Sequence, residues 1–384
     1  MNKIYRLKNQ VKHYDWGSKK MLPDFLNVQN TEDKPYAELW MGTHNEAPSQ
    51  VYKDSDDKLV NLKEISGELP FLFKLLAVEK PLSIQAHPNK TQAEEGFKKE
   101  EKDGININAP KRNYKDSNHK PEIICAITPI TLMGGFREPD EIIKSMELFV
   151  SLDNHFTKLI NELENKNISG FFRLLFNFSK TQIENICSFI NNADENDTKD
   201  FISGEQWKLI KRFASIYPHD IAIFSPLYLN IITLQSGQAI FIPAGVLHAY
   251  LSGFGAELMT SSDNVLRGGL TPKHIDICEL MNILVFEPFI PQIINPKTNE
   301  ISFNYSTPCK EFLLTSLKTN GETILPVNSP AICIVTEGEL KAAGVLFNKG
   351  ESFFIPKEND PVVLSGNFSL FAASIDNTYP CESA

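Results

Sequence analysis

The sequence predicts a mainly β protein of two jelly-roll barrels, with one α-helical block inserted into the first. Three observations support this fold class. Short apolar runs broken by Gly, Pro, Asn and Asp fill residues 36–136 and return beyond residue 219, as expected of strands. Residues 137–218 instead repeat apolar side chains every three or four positions, which is helical spacing. In addition, one strand-forming unit occurs twice, at 237–253 and 350–366.

The repeated unit reads GQAIFIPAGVLHAYLSG in its first copy and GESFFIPKENDPVVLSG in its second. The copies align without a gap, and both keep FIP and LSG at matching positions. Two evenly spaced strand–Gly–strand–Pro units fit a double jelly-roll chain, or bicupin. His248 of the first copy aligns with Pro361 of the second. We infer that this histidine serves a function that the second copy lacks.

The elements before and within the helical block follow from local motifs. Strands are predicted at four motifs within 36–136: ELWMGTH, FLFKLLAV, PLSIQAH and EIICAIT. Pro139 and Asp140 suit a helix start, and the polar run at 191–200 is predicted to be a loop between helices. Three serines are candidate helix caps: Ser169, Ser179 and Ser203.

The changes of pattern divide the chain into three predicted domains. The catalytic cupin domain is discontinuous and combines residues 1–137 with 219–280. The helical insertion is 138–218, and a metal-free cupin-like barrel is 281–384. No histidine follows His274, so the C-terminal barrel is expected to pack and stabilise rather than to catalyse.

Composition limits the classes of function. Of the 384 residues, 42% are hydrophobic and 22% are charged, as in ordinary globular proteins. The net charge of −10 argues against nucleic acid as a partner, and no apolar run is long enough for a membrane span. The N-terminus does not resemble a signal peptide, and the six cysteines form no CxxC pair. We therefore expect a cytoplasmic, monomeric protein with neither nucleic acid nor membrane as a partner.

Three predicted strands each offer a metal-ligand side chain. Gln85 and His87 are two residues apart, so on a strand both project from one face. Glu122 begins a second strand and His248 lies in a third. Two imidazoles, one carboxylate and one amide oxygen suit Zn²⁺ or a similar divalent ion. We predict one divalent metal ion per chain at these four residues, with zinc as one candidate.

Seven motifs resemble the type I mannose-6-phosphate isomerase family. They are PYAELWMGTH (35–44), FLFK (71–74), PLSIQAHPNK (81–90), NHKPE (118–122), GGFR (134–137), HAYLSG (248–253) and SDNVLRGGLTPKHID (262–276). The resemblance runs in order to about residue 280 and implies a cupin fold with a helical insertion. It also implies a zinc-dependent interconversion of mannose 6-phosphate and fructose 6-phosphate.

The resemblance carries functional residues onto this sequence. The family's metal ligands fall on the four residues proposed above, and its essential arginine falls on Arg267. Its other pocket residues fall on Trp16, Lys74, Ser83, His119, Lys120, Glu257 and Asp263. The sequence reads RGGL where RAGL is usual in the family, which places an extra glycine beside Arg267.

The implied reaction moves a proton between C2 and C1 of the sugar through a cis-enediol. Zinc would act as a Lewis acid. Arg267 and Lys120 are candidates to hold the phosphate or the enediolate, and Lys74 and Ser83 could assist. The base stays open among His119, Glu257, Lys120 and a zinc-bound hydroxide. Asp263 could orient a partner or take part in ring opening.

Two other functions compete with the isomerase. An iron-dependent dioxygenase of the cupin type would favour a ligand set richer in histidine. A non-catalytic sugar-phosphate-binding protein would be favoured by the loss of a ligand or of Arg267, and all are present. We therefore predict an aldose–ketose isomerase whose partner is a small sugar phosphate.

Overall fold

The computed structural model describes residues 4–53, 58–297, 300–325, 329–357 and 361–376. Within these ranges the chain is mainly β, with two antiparallel sheets and a set of helices, which confirms the coarse fold class. The strands in chain order are β1 (Tyr5–Lys8), β2 (Gln10–Lys12), β3 (Glu38–Gly42), β4 (Gln50–Lys53), β5 (Lys58–Asn61), β6 (Phe71–Val78), β7 (Ile84–Ala86), β8 (Glu122–Ala126), β9 (Ile130–Phe136), β10 (Leu229–Leu234), β11 (Ala239–Ile242), β12 (His248–Thr260), β13 (Leu266–Gly269), β14 (Ile293–Ile294), β15 (Ser302–Tyr305), β16 (Leu313–Thr319), β17 (Glu322–Ile324), β18 (Ala331–Ala342), β19 (Val345–Asn348), β20 (Ser352–Ile355) and β21 (Val363–Ser374).

The helices lie mainly between β9 and β10. In chain order they are α1 (Met21–Leu26), α2 (Lys63–Ser66), α3 (Lys90–Lys102), α4 (Pro139–Glu147), α5 (His155–Glu164), α6 (Ile168–Leu175), α7 (Lys180–Asn192), α8 (Gly204–Ile216), α9 (Ser225–Tyr228) and α10 (Ile277–Ile283). Two short 3-10 turns accompany them, at Glu195–Asp197 and Ile221–Phe224. Among the described ranges, none of the helices combines the length and the apolar character that crossing a bilayer requires.

The strands of the described residues form two sheets. Sheet 1 runs in the order β14-β11-β8-β12-β6-β3-β2, and β7, β9, β10 and β13 join it. Sheet 2 runs in the order β15-β16-β21-β18-β20-β1-β4-β5, with β17 and β19 attached. The N-terminal strand β1 therefore lies in the same sheet as the C-terminal strands, with Tyr5 opposite Phe354. The division into three domains stays a prediction.

The two sheets share an apolar interface. Alternate residues of sheet 1, such as Phe73 and Leu258, project toward sheet 2 and pack in one cluster with Ile332 and Phe371. Because successive side chains of a strand point to opposite faces, the residues between them face the other way. That second face of sheet 1 carries the polar side chains of the candidate site.

The helical block packs on the back of the strands that carry the site. Its buried aromatic residues, including Phe156 and Trp207, form one cluster with Ile84 of β7 and with Leu247 and Ala249. The predicted helix start at Pro139 is confirmed, and Ser179 and Ser203 each form a capping box with the glutamine three residues on. Ser169 is not a cap: it lies inside α6, whose cap is Asn167. The predicted loop at 191–200 contains the end of α7 and a 3-10 turn.

Helix α3 lies within residues 36–136, where the sequence predicts only strands. Its buried residues are only Ala93, Gly96 and Glu100, so no apolar stripe marks it in the sequence. The available signal is local: the Asn89 side chain accepts a hydrogen bond from the Gln92 amide in a capping box.

The two copies of the repeat adopt the same local structure. Strands β11 and β12 correspond to β20 and β21 along the aligned sequence. Gly237 and Gly350 have φ values of 84° and 85°, and Gly253 and Gly366 also have positive φ, a conformation that favours glycine. Residues 358–360 of the second copy lie outside the described residues. The five described cysteines are free, and Cys381 lies outside the described part of the chain.

Candidate active site

Three of the four proposed metal ligands lie next to one another, beside a cavity of sheet 1. Glu122 begins β8, His248 begins β12 and His87 directly follows β7, and all three side chains are buried. The Nε2 atom of His248 lies 2.9 Å from Glu122 Oε1, and that of His87 lies 3.4 Å from Glu122 Oε2. Ligand atoms of the three residues lie within 4.8 Å of one another. The fourth, Gln85, pairs with His248 in the sheet, and its amide nitrogen is 3.4 Å from His248 Nε2.

Backbone carbonyls orient both imidazoles toward this point. His87 Nδ1 lies 2.7 Å from the carbonyl oxygen of Asn264, and His248 Nδ1 lies 3.0 Å from that of Val246. A carbonyl oxygen only accepts hydrogen bonds, so each ring donates from Nδ1. Each Nε2 is therefore left as the lone-pair atom that faces Glu122, which is the arrangement of a metal-binding histidine.

Charge also favours the metal-binding protonation states. Burial, with the Lys120 charge next, lowers the pKa of His87 to about 4, so this imidazole is neutral at pH 7. Burial acts to raise the pKa of Glu122, but the Lys120 charge and the contacts with His248 and His87 outweigh it and hold that pKa well below its ordinary value. Tyr250 donates a 3.0 Å hydrogen bond to Glu122. Two imidazoles, a carboxylate and an amide fit a divalent zinc ion.

The metal-ligand group adjoins a cavity of about 760 Å³, which suits a small-molecule ligand. Eight of the residues proposed from the sequence line it: Trp16, Lys74, Ser83, Gln85, Lys120, Glu257, Asp263 and Arg267. The strand register explains part of this convergence, because Gln85 lies opposite both Arg267 and His248. Directly opposed residues of antiparallel strands project from the same face.

A buried cluster of one lysine and two carboxylates forms one wall of the cavity. Lys74 Nζ lies 3.4 Å from Glu257 Oε2 and 3.8 Å from Glu38 Oε2, and Trp40 donates to Glu38. Burial opposes the lysine charge, but Glu38 and Glu257 raise the pKa of Lys74 above its ordinary value. Burial also raises the pKa of Glu257 to about 7, against the Lys74 charge and with the help of Glu122. The lysine therefore stays cationic beside a carboxyl group that can exchange a proton near neutral pH. Glu38 is not among the residues predicted from the sequence.

Asp263 lines the cavity next to a histidine. Its Oδ2 atom lies 3.2 Å from His44 Nε2. Burial acts to raise the pKa of Asp263, but the hydrogen bond and charge of His44 prevail and lower it. Asp263 is therefore held as a carboxylate at the cavity wall.

A group of cations lies at another part of the cavity wall. Burial lowers the pKa of Arg267, and burial together with the charges of Arg267 and Lys115 lowers the pKa of Lys273. Within the described ranges no carboxylate forms an ion pair with any of the three. Their combined positive charge favours an anion. Lys115 and Lys273 are not among the site residues predicted from the sequence, although Lys273 lies within the 262–276 motif and Lys115 lies just before the 118–122 motif.

Comparison with known proteins assigns the family. The profile of the phosphomannose isomerase type I catalytic domain matches residues 4–139. The mannose-6-phosphate isomerase of Escherichia coli (strain K12) is 35% identical over 390 residues, covering 96% of this chain and 98% of the relative. This chain belongs to the type I phosphomannose isomerase family. The human mannose-6-phosphate isomerase is 32% identical and covers 89% of each chain.

Solved structures of the phosphomannose isomerase family share the fold of the whole chain. A zinc-bound mannose 6-phosphate isomerase superposes with a TM-score of 0.87 at 34% identity, covering 97% of this chain and 99% of the other. A variant of the Salmonella typhimurium phosphomannose isomerase gives a TM-score of 0.89 at 34% identity, with the same coverage.

One residue that the family resemblance proposed lies apart from the others. His119 does not line the cavity: its Nε2 lies 3.0 Å from Glu311 Oε1, on the side of sheet 2. The hydrogen bond from His119 lowers the pKa of Glu311 to about 2. Neighbouring residues of an extended chain point in opposite directions, and Lys120 accordingly faces the cavity, 3.3 Å from Glu122.

Proposed function

We propose that this protein is a zinc-dependent isomerase that interconverts mannose 6-phosphate and fructose 6-phosphate. The proton would move between C2 and C1 of the sugar through a cis-enediol. The observation that carries this proposal is the position of the His87–Glu122–His248 group beside a cavity that is lined by a buried carboxyl group and three cations. The E. coli and human relatives, both mannose-6-phosphate isomerases, support it.

Gln85, His87, Glu122 and His248 would hold one Zn²⁺. When bound, the ion would supply Lewis-acid polarisation of the substrate's oxygen atoms. Lys120 lies 3.3 Å from both Glu122 Oε2 and His87 Nε2. Its ammonium group would donate to negative charge that develops on the sugar oxygens.

Glu257 is the base that the geometry supports best. It is buried, it lines the cavity, and its pKa near 7 suits both the uptake and the return of a proton at neutral pH. Lys74, 3.4 Å away, would stabilise the ionised form. His119 is not supported as the base, because its imidazole faces Glu311 outside the cavity.

Arg267 would anchor the phosphate together with Lys115 and Lys273. A guanidinium group can donate two parallel hydrogen bonds to a phosphate, while a lysine acts as a point charge. Ser83 and Trp16 line the same cavity and would complete the substrate contacts. Asp263, held as a carboxylate by His44, would take part in opening the sugar ring.

Several finer statements belong to the same proposal. Each sheet would close as a cupin jelly roll, with β1, β4 and β5 of the N-terminal segment contributing to the second. Along the chain, the domain boundaries would fall at 137/138, 218/219 and 280/281. The face-to-face packing of the sheets and the matching repeat copies support this organisation. A monomeric, cytoplasmic enzyme that acts on a free sugar phosphate stays a prediction.

The direct test is conversion of mannose 6-phosphate to fructose 6-phosphate by purified protein, before and after chelation and after zinc is added back. We expect activity to vanish with the chelator and to return with zinc. Substrate binding without turnover by fully metallated protein would contradict the proposal and favour a binding protein.

A pair of arginine variants tests the phosphate anchor. Arg267→Ala should lower kcat/KM by about 10²-fold or more, because a preorganised donor to the substrate is lost, while zinc content stays normal. Arg212→Ala is the matched control, since this arginine lies on α8 and donates to the Glu79 carbonyl. Equal activities of the two variants would contradict the anchor.

A further inference from the structure

Two loops beside the cavity are joined by one buried asparagine. The first loop spans residues 112–118 and the second spans 261–265. Asn264, in the second loop, is fully buried. Every polar atom of its side chain and backbone has a hydrogen-bond partner, and these partners connect different parts of the candidate site.

The side chain of Asn264 holds the backbone of the first loop. Its Nδ2 donates to the carbonyl oxygens of Asp116 at 2.8 Å and Asn118 at 2.9 Å. Its Oδ1 accepts from the backbone amide of Lys115 at 2.7 Å. One planar amide therefore fixes the path of the loop that carries Lys115 at the cationic part of the cavity.

The backbone of Asn264 reaches the metal-ligand group at the same time. Its carbonyl oxygen accepts the 2.7 Å hydrogen bond from His87 Nδ1, and this contact sets which ring nitrogen of His87 faces Glu122. The position of that carbonyl depends on where the side chain of the same residue is held. A ligand histidine and a cationic loop are thus positioned through one residue.

Asp116, in the first loop, forms further hydrogen bonds with the second loop. Its Oδ1 accepts from the Ser262 hydroxyl at 2.8 Å, and its Oδ2 accepts from the backbone amide of Asp263 at 2.7 Å. The Ser262 oxygen in turn accepts from the backbone amide of Asn264 at 3.3 Å. The two loops therefore act as one unit, since neither can shift without breaking several of these bonds.

We infer that Asn264 is a positioning residue that couples the orientation of His87 to the placement of the Lys115 loop. The inference rests on the proposed zinc site and phosphate anchor. It assigns Asn264 no contact with the substrate. Its effect on the reaction passes through two other residues, one at each end of the connection.

The test is the zinc affinity of metal-stripped protein, measured by competition with a chromophoric chelator. In Asn264→Asp, an oxygen replaces the amide nitrogen that faces two carbonyl oxygens, so the loop and the Asn264 carbonyl must shift. We expect zinc to bind about 10- to 100-fold more weakly, as for residues that orient metal ligands, and KM for mannose 6-phosphate to rise.

Two control variants separate positioning from stability and from charge. Asn230→Asp alters an amide that donates to the carbonyl oxygens of Gly134, Gly135, Phe136 and Phe289. It should lower the melting temperature while zinc affinity stays within about twofold of the wild type, since no proposed ligand bonds to Asn230. Lys115→Ala should raise KM and leave zinc affinity unchanged.

The outcomes are distinguishable. Zinc affinity of folded Asn264→Asp within about twofold of the wild type would overturn the inference. If this variant does not fold, Asp116→Asn replaces it, and unchanged zinc affinity there would overturn the inference equally. A wild-type protein that binds no zinc would instead overturn the proposed function.

Discussion

The two sheets use the faces that point away from their shared interface for opposite purposes. That face of sheet 1 carries Lys74 and Glu257 at a cavity, with the buried Glu122 beside it. The corresponding core of sheet 2 is filled by apolar side chains, among them Phe353 and Phe368. A sheet face thus forms a polar site or a packed core according to the side chains that it carries.

The aligned repeat copies show one position at which the side chains of the two sheets differ. Ile242 and Ile355 occupy equivalent positions and are both buried. His248 is fully buried among the proposed ligands, whereas the aligned Pro361 is exposed. The described strands are therefore retained in both copies, and the proposed ligand is present in only one. Four experiments can break or sharpen this comparison.

The largest effect should follow from removing the His248 imidazole, a proposed metal ligand. His248→Ala should abolish stoichiometric zinc binding and lower turnover by more than about 100-fold, since even residues that only orient ligands can reach that size. Metal content and the isomerase assay measure this. Pro361→Ala is the matched variant at the aligned position and should leave both unchanged. Retained zinc in His248→Ala would show that the difference between the copies is not functional.

A truncation inside sheet 2 should affect stability instead. Phe353 is fully buried, so Phe353→Ala should lower the free energy of unfolding by about 3–5 kcal/mol through lost contacts and a cavity. Denaturant unfolding measures the change. Zinc content and activity per folded molecule should stay normal. Loss of turnover in folded protein would mean that sheet 2 contributes directly to the site.

The pH dependence of stability should reflect the buried carboxyl group of Glu257. Burial raises the pKa of Glu257 to about 7, above the ordinary value of about 4.5, so between these values the folded protein binds more protons than the unfolded chain. Stability of the zinc-free protein should therefore decrease as pH rises from about 4.5 to about 7. Glu257→Gln should flatten this slope, as followed by denaturant unfolding at several pH values. An unchanged slope would contradict the raised pKa.

The smallest effect is expected at the contact between the two sheets. His119 lowers the pKa of Glu311 to about 2, so the ionised carboxylate stabilises the fold above about pH 4.5. This contribution should be lost as pH falls toward about 2. Glu311→Gln should cost about 1 kcal/mol or less at pH 7, because the pair is partly exposed, and should leave turnover unchanged. Thermal unfolding against pH checks both statements, and a large loss of turnover would revive His119 as a catalytic residue.

Local features of the chain were accessible from the sequence because they depend on neighbouring residues. The capping boxes at Ser179 and Ser203, the helix start at Pro139 and the repeat with its glycines follow from short-range backbone preferences. The separation of Gln85 and His87 by two residues places both on one strand face. The mainly β fold with a helical block could therefore be predicted, and so could the candidate metal ligands.

Tertiary structure decided which distant residues meet. The pairing of β1 with β20, the approach of Lys115 to Lys273 and the contact of Asn264 with His87 join segments far apart in the chain. No local pattern encodes such contacts, because they depend on how whole strands and loops pack. The orientation of His119 away from the cavity was decided in the same way. The sequence by itself determined the side chains available for chemistry, and packing determined which of them share the cavity.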